Sequence, residues 1–475
     1  MIAPDASSHA DAAPYDLVGV GIGPFNLALA ALSDGVPDLS TLFLDEKPEF
    51  SWHADMLLDG ATLQVPFLAD LVTLIDPTSP WSYLSYLREH DRLFPFYFTE
   101  RFHIPRREYD HYCRWVARSL PSCRGSARVD ALSWDADRDV FKICYTETET
   151  GQGHIVCARD VVLGVGTTPA IPPGLRPLLG ERVFHTADYL TRRPGLTGLG
   201  DVTVIGSGQS GAEVLLDLLR TPPTPQGRLR WLTRSPAFAP MEYSKLGLEH
   251  FTPDYTRYFH ALPESTRDQL LPSQWQLYKA ISEEIIGQIY DLLYDRATES
   301  EQDAVTLLPN VDVTAARRGP GGVELTCRHT EQERDFRLVT DAVILASGYA
   351  ARRPALLAPL AELTDWDAQG RYRIDADYRV ALRPEVTGRL YVQNAELHTH
   401  GVGAPDLGLG AHRAAVILNS VTGRTAYRLP RRTAFTTFGI PDPDHGNGTD
   451  SMSSPTYTPQ TIATPEAACV HADAR

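Results

Sequence analysis

Two apolar runs along the chain are each followed by a glycine-rich turn and then by an apolar stretch with helical spacing. The first run, Tyr15–Gly19, predicts a buried strand. A turn follows, then a helix from about Asn26 to Leu32 and a second strand over Thr41–Asp45. The same order returns later, with a strand at Asp201–Ile205, a helix from about Ser210 to Leu219 and a strand at Leu229–Thr233. Strand, helix and strand in this order predict a parallel sheet with helices on its faces. Between the two units, Tyr83–Leu120 is rich in aromatics and arginine and reads as largely helical. Ala158–Val165 reads as a strand and the Pro-rich stretch Pro169–Pro177 as a crossover. Further on, Trp275–Tyr294 predicts a helix, Asp341–Ala346 a strand that ends in Ser-Gly-Tyr, Leu390–Gln393 a late strand and Gly410–Ser420 a helix. The expected fold is α/β, with two Rossmann-like dinucleotide-binding domains and a small, mostly helical substrate region. Residues 1–14 read as a flexible N-terminus. Residues 15–170 and 341–430 read as one discontinuous domain, and 171–340 as the second, with substrate-region helices around 240–295. Residues 431–475, rich in Pro, Thr, Ser, Asp and Ala, read as a disordered tail.

The two turns carry the chemistry. The first contains Gly19, Gly21, Gly23, Pro24 and Asn26. Glycine permits a tight turn and a close backbone approach to a pyrophosphate, and the helix that follows presents free N–H groups and a partial positive charge. Asp45 closes the second strand, where an acid is expected to hydrogen-bond a ribose hydroxyl; Glu46 is the alternative. The second turn, Gly206-Ser-Gly208-Gln209-Ser210-Gly211, fits G-x-G-x-x-G. No acid ends its second strand; Arg234 and Ser235 stand there. An arginine can pair with a 2′-phosphate that an acid would repel, so this site is expected to take NADPH. Two dinucleotide sites in one chain imply electron flow from nicotinamide to a flavin, FAD, at the first turn.

Composition narrows the possible outlets for those electrons. The chain has 475 residues, enough for two or three domains, and a net charge of −16, which argues against a nucleic-acid partner. Its six cysteines include no C-x-x-C pair, so a redox disulfide and a zinc site are not expected. No apolar stretch is long enough to span a bilayer and the N-terminus lacks a signal-peptide pattern, so a cytoplasmic protein is expected. Without a cysteine pair to accept electrons, the reduced flavin is expected to meet O2.

Several stretches resemble the flavin-dependent N-hydroxylating monooxygenases of siderophore biosynthesis, the lysine and ornithine N-hydroxylases. They include Gly21-Ile-Gly-Pro-Phe-Asn26, Phe50-Ser-Trp-His53, Leu63-Gln-Val-Pro-Phe-Leu68, Asp70-Leu-Val72, Pro77-Thr-Ser-Pro80 and Arg106-Arg-Glu108. Gly206-Ser-Gly-Gln-Ser210, Ala346-Ser-Gly-Tyr349 and Thr399-His-Gly401 continue the match, which runs from about Tyr15 to Arg428. The resemblance implies that NADPH reduces FAD and that the reduced flavin forms a C4a-hydroperoxide with O2. The neutral amine of the substrate then takes the distal oxygen. It also implies that Gln64 lies near the reactive edge of the flavin, that Trp52, His53, Gly348 and Tyr349 belong to the cofactor sites, and that Gln209 and Ser210 hold NADPH. A homo-oligomer, tetramer or dimer, is implied as well.

The departures point to the substrate. Where the amino-acid hydroxylases carry the lysine that binds the substrate carboxylate, this chain has Ala69; where they carry two head-group asparagines, it has Leu248 and Leu277. Burying a carboxylate without partners costs several kcal/mol, on the order of the penalty for an unpaired polar group. The expected substrate is therefore a linear diamine, putrescine or cadaverine. Glu242, Glu249, Asp254 and Glu283 are candidate acceptors for its far ammonium. The alternatives are a lysine or ornithine hydroxylase whose carboxylate site is rebuilt by Lys279 or Arg88, a redox-sensing flavoprotein without turnover, and an NADPH oxidase.

Overall fold

The computed structural model describes residues 13–225, 227–299, 305–351 and 353–440. The flexible segment expected before Ala13 and the tail beyond Ile440 lie outside them. The first glycine turn joins β1 (Tyr15–Val20) to α1 (Pro24–Ser33), and β2 (Thr41–Leu44) follows. Next come α2 (Arg106–Ser119), β3 (Cys123–Arg124), β4 (Ala127–Asp135), β5 (Val140–Glu147) and β6 (Gly153–Leu163). The sheet order is β3-β2-β1-β6-β5-β4, parallel from β3 to β6 and antiparallel through β5 and β4. Leu17 and Val18 in β1 are fully buried, as expected of a strand covered on both faces. Helix α1 is buried from Phe25 to Ser33, so its apolar character all round fits a central position.

The second unit runs β7 (Val183–His185), β8 (Asp201–Ile205), α3 (Gln209–Arg220), β9 (Arg228–Leu232), α4 (Pro253–Ala261), α5 (Glu283–Glu299), β10 (Val305–Leu308) and β11 (Ala342–Leu345). Its parallel sheet has the order β10-β9-β8-β11-β7. The chain then returns to the first sheet through β12 (Arg389–Val392), parallel to β6, and closes with α6 (Gly410–Thr422).

Four expectations change. Strand β11, grouped with the first nucleotide unit at residues 341–430, pairs with β8 in the second sheet, so the return begins after it. The helix expected over Trp275–Tyr294 is two, Trp275–Tyr278 and α5. Between them Ile281 leaves helical geometry because its backbone bonds to Ala239 and Met241, a tertiary bridge that overrides local propensity. Tyr83–Leu120 likewise divides into Tyr83–Glu89, Leu93–Tyr97 and α2, with Pro105 immediately before α2. Finally, the residues just past Arg431 are not a loose tail. The N–H groups of Thr433 and Ala434 bond to the Asp254 carboxylate, and those of Phe435 and Thr436 to the Glu249 carboxylate.

One ion pair fastens the start of α2 to the second unit. Arg106 donates to both oxygens of Glu213 on α3, at 2.9 and 2.7 Å, and to the Met56 carbonyl. The two side chains are 11% and 3% exposed. Glu213 also receives the Gln209 side-chain amide, whose oxygen accepts the Ser282 N–H at the head of α5. Removing one partner of such a pair leaves a buried charge, at a cost of about 3–5 kcal/mol. Arg106→Ala should therefore lower the unfolding free energy by that order, read as a fall in the denaturant midpoint at unchanged m. The double change Arg106→Met, Glu213→Leu should recover most of the loss; a double variant no more stable than the single one contradicts this account.

Candidate active site

The first glycine turn is held from three sides. The Asp45 carboxylate accepts the Ile22 N–H at 2.7 Å and, through its other oxygen, the Lys47 N–H. Gly21 has φ +89, and a Cβ there would stand 2.5 Å from the Gly164 carbonyl at the end of β6. Asn26 is fully buried and donates to the Val20 and Gly21 carbonyls while accepting from Gln393. Its amide thus shapes the turn. Gly23, where α1 begins, has no side-chain cap and open space where a Cβ would be. The free N–H groups of α1 consequently face room for a pyrophosphate.

An aromatic row runs from this unit toward the second. Trp52, fixed by its N–H to Asp110, lies edge-on to His53, which neighbours Tyr349, which in turn neighbours His185. Burial, reinforced by Arg106 and Lys47, lowers the His53 pKa to about 4, so its ring is neutral at physiological pH. Gly348 has φ +77, and its carbonyl meets the His185 ring. Trp52, His53, Gly348 and Tyr349, widely spaced in sequence, are therefore neighbours. Gln64 lies beside the Thr62–Pro105 bridge, and its amide nitrogen is buried without a hydrogen-bond partner among the described residues. A buried donor left open in this way is suited to a bound polar ring.

In the second turn, Gly206 has φ +118, and a Cβ there would stand 2.2 Å from the Ala346 carbonyl. Gln209, expected to touch NADPH, bonds to Glu213 and to the Ser282 N–H and so ties α3 to α5. Ser210 and Gly211 lie at the head of α3, which starts with no side-chain cap after Gly208. Arg234 is exposed just past β9 and forms no ion pair among the described residues, while Ser235 is anchored to Thr233.

Ala69 is buried, and its neighbour is the loop before α6: the side-chain position of Gly408 lies 3.8 Å from the Ala69 Cβ. Leu248, 40% exposed, and Leu277 lie on the helical region around α4. Of the candidate acids, Glu249 and Asp254 are corrected, since both are committed to the backbone of Thr433–Thr436. Glu242 accepts the Ser244 N–H, and with Glu283 it lines an open cavity of about 640 Å³ beside Phe238, Met241 and Tyr243. Lys279 lies over the Tyr278 ring and Arg88 is exposed on Tyr83–Glu89. Sequence reasoning missed the Arg106–Glu213 pair and the acid Asp406. Arg106 stood within a quoted motif; Asp406 carried no motif signal.

Two uncapped helix starts, each behind a glycine turn at the end of a parallel strand, define a two-dinucleotide flavoprotein oxidoreductase. Residues 13–351 match the model of the L-lysine 6-monooxygenase/L-ornithine 5-monooxygenase family, and the chain belongs to that family. It is 42% identical over 424 residues to a putrescine N-hydroxylase of Shewanella oneidensis, covering 89% of this chain and 84% of that one. A cadaverine monooxygenase of Erwinia amylovora from the desferrioxamine biosynthetic pathway, solved with FAD, superposes with a TM-score of 0.87 at 40% identity, over 91% of this chain and 100% of that one. An ornithine N-hydroxylase of Kutzneria sp. 744, solved with reduced FAD, NADP⁺ and L-ornithine, superposes at 0.81 and 28% identity, over 86% and 99%. The chain is thus an FAD- and NADPH-dependent monooxygenase. No helix among the described residues is long and apolar enough to cross a membrane.

Gly21→Ala should abolish flavin retention, because the added methyl clashes with backbone and the φ is unfavourable to L-residues. The check is flavin absorbance per protein after purification; a variant that keeps full flavin content refutes the placement of FAD at this turn.

Proposed function

We propose that this enzyme N-hydroxylates one primary amine of a linear diamine, putrescine or cadaverine, for hydroxamate siderophore assembly. The observation that carries the reading is Ala69, a buried methyl where the amino-acid hydroxylases hold a carboxylate-binding lysine. Lys279 and Arg88, the candidates to replace that lysine, are both exposed, with Lys279 resting on Tyr278. An ornithine or lysine carboxylate would then lie against Ala69 without a counter-ion, a penalty of several kcal/mol by the order of such burials. Similarity to the putrescine and cadaverine enzymes supports the same choice.

Bound FAD supplies the chemistry, passing electrons from NADPH to O2 and delivering one oxygen atom to the amine nitrogen. The residues shape its surroundings. Gly19, Gly21 and Gly23 admit the pyrophosphate against α1, with Asp45 at the ribose. Trp52 and His53 line the ring site, where a neutral His53 adds no charge that would repel an ammonium. The open amide of Gln64 would donate to the bound ring. The second turn, Gly206–Gly211, holds the NADPH pyrophosphate, and Arg234 with Ser235 pairs with its 2′-phosphate. The reacting nitrogen must be neutral to present its lone pair, whereas the far nitrogen remains an ammonium.

With FAD and NADPH supplied, hydroxylamine should form from putrescine or cadaverine at least tenfold more efficiently than from ornithine or lysine. Preference for ornithine or lysine overturns the diamine reading. Arg234→Ala should reduce the NADPH-over-NADH preference by about tenfold or more, the loss of one charge-assisted pair. An unchanged ratio in steady-state assays with the two nucleotides removes Arg234 from the site.

A further inference from the structure

The proposed reading leaves the far ammonium without an acceptor, and the four acids named from sequence do not supply one at Ala69. Glu249 and Asp254 are spent on Thr433–Thr436. Glu242 and Glu283 line a cavity whose walls do not include Ala69. Asp70, next in sequence, is saturated by the N–H groups of Val72, Thr73 and Tyr83 and by the Thr73 hydroxyl.

The structure brings another acid to that position. Asp406 heads the short turn Leu407–Leu409 just before α6, and its Oδ1 accepts the Gly408 N–H at 2.7 Å. The point where Gly408 would carry a Cβ lies 2.8 Å from that Oδ1 and 3.8 Å from the Ala69 Cβ. The Asp406 carboxylate and the Ala69 methyl thus both border Gly408, each within contact distance of the point where a Cβ would stand. The acid has no cation of its own. Its hydrogen bonds come from backbone N–H groups, and no ion pair is made to it among the described residues. Arg413, the nearby cation, is committed to buried Glu396 and to the carbonyls of Gly403 and Ala404. Burial raises the Asp406 pKa to about 6, as expected of a carboxylate that its surroundings compensate incompletely.

We propose that Asp406 is the specificity-determining residue of this enzyme, pairing with the far ammonium of the bound diamine beside Ala69 and Gly408. The same carboxylate would repel an α-carboxylate brought to Ala69, so it selects by attraction and by exclusion together. The assignment rests on the diamine reading and deepens it.

The test compares amines that differ only at the far end. Asp406→Asn retains an oxygen for the Gly408 N–H and removes the charge. KM for putrescine and cadaverine should rise by about 30-fold or more, the loss expected for a buried charge pair, while KM for n-butylamine and n-pentylamine does not rise. Ala69→Lys supplies an internal cation for Asp406 and should shift the diamine-to-monoamine ratio in the same direction. If Asp406→Asn impairs all four amines alike, the ratio in Ala69→Lys decides: a fall supports the assignment and no change overturns it. Diamine turnover in which neither variant moves the ratio overturns the assignment alone. Wild-type preference for ornithine or lysine overturns the diamine reading and the assignment with it.

Discussion

The two nucleotide units are coupled by a charge that neither can leave unpaired. Arg106 enters from α2 and is neutralised by Glu213 on α3, the helix whose start forms the second glycine turn. Because Glu213 also holds Gln209, and Gln209 the head of α5, the register of three helices depends on one guanidinium. The field of that guanidinium also helps keep His53 neutral beside Tyr349. A buried pair of this kind adds little net stability over a well-packed apolar substitute, but it is costly to break and is satisfied in one arrangement only. For an enzyme that must bring nicotinamide and flavin together, a defined arrangement matters more than added stability.

The substrate end follows a different logic. Where the resemblance to the amino-acid hydroxylases implies a carboxylate-binding lysine, this chain has Ala69. What remains at Ala69 is small and apolar, and beside it stands a carboxylate with backbone donors alone. Substrate choice between amino acid and diamine thus turns on the sign of one charge in one space, with the oxidation machinery unaltered.

Much of this was legible in sequence because it depends on local chain geometry. Both glycine turns, the strands before them and the helices after them follow from short-range patterns, and the structure places them within a residue or two. Three kinds of feature were not legible. The break at Ile281 is imposed by an isolated bridge to the segment Ala239–Met241. The framework bonds of Asn26 and Gln209 were also not legible, because a motif gives position and not the direction of an amide. Asp406 reaches Ala69 across more than three hundred residues of chain, a proximity that only the return through β12 and α6 creates.

The last described backbone donors of the compact unit add a temporal consequence. Glu249 and Asp254 flank the start of α4, and their carboxylates are matched by the N–H groups of residues 433 to 436. During synthesis those donors leave the ribosome well after both glycine turns have emerged. The acids beside α4 therefore meet their backbone partners only after β12 and α6 have been synthesised. A nascent chain that stops short of residue 433 carries both turns but leaves two acids beside α4 without their donors.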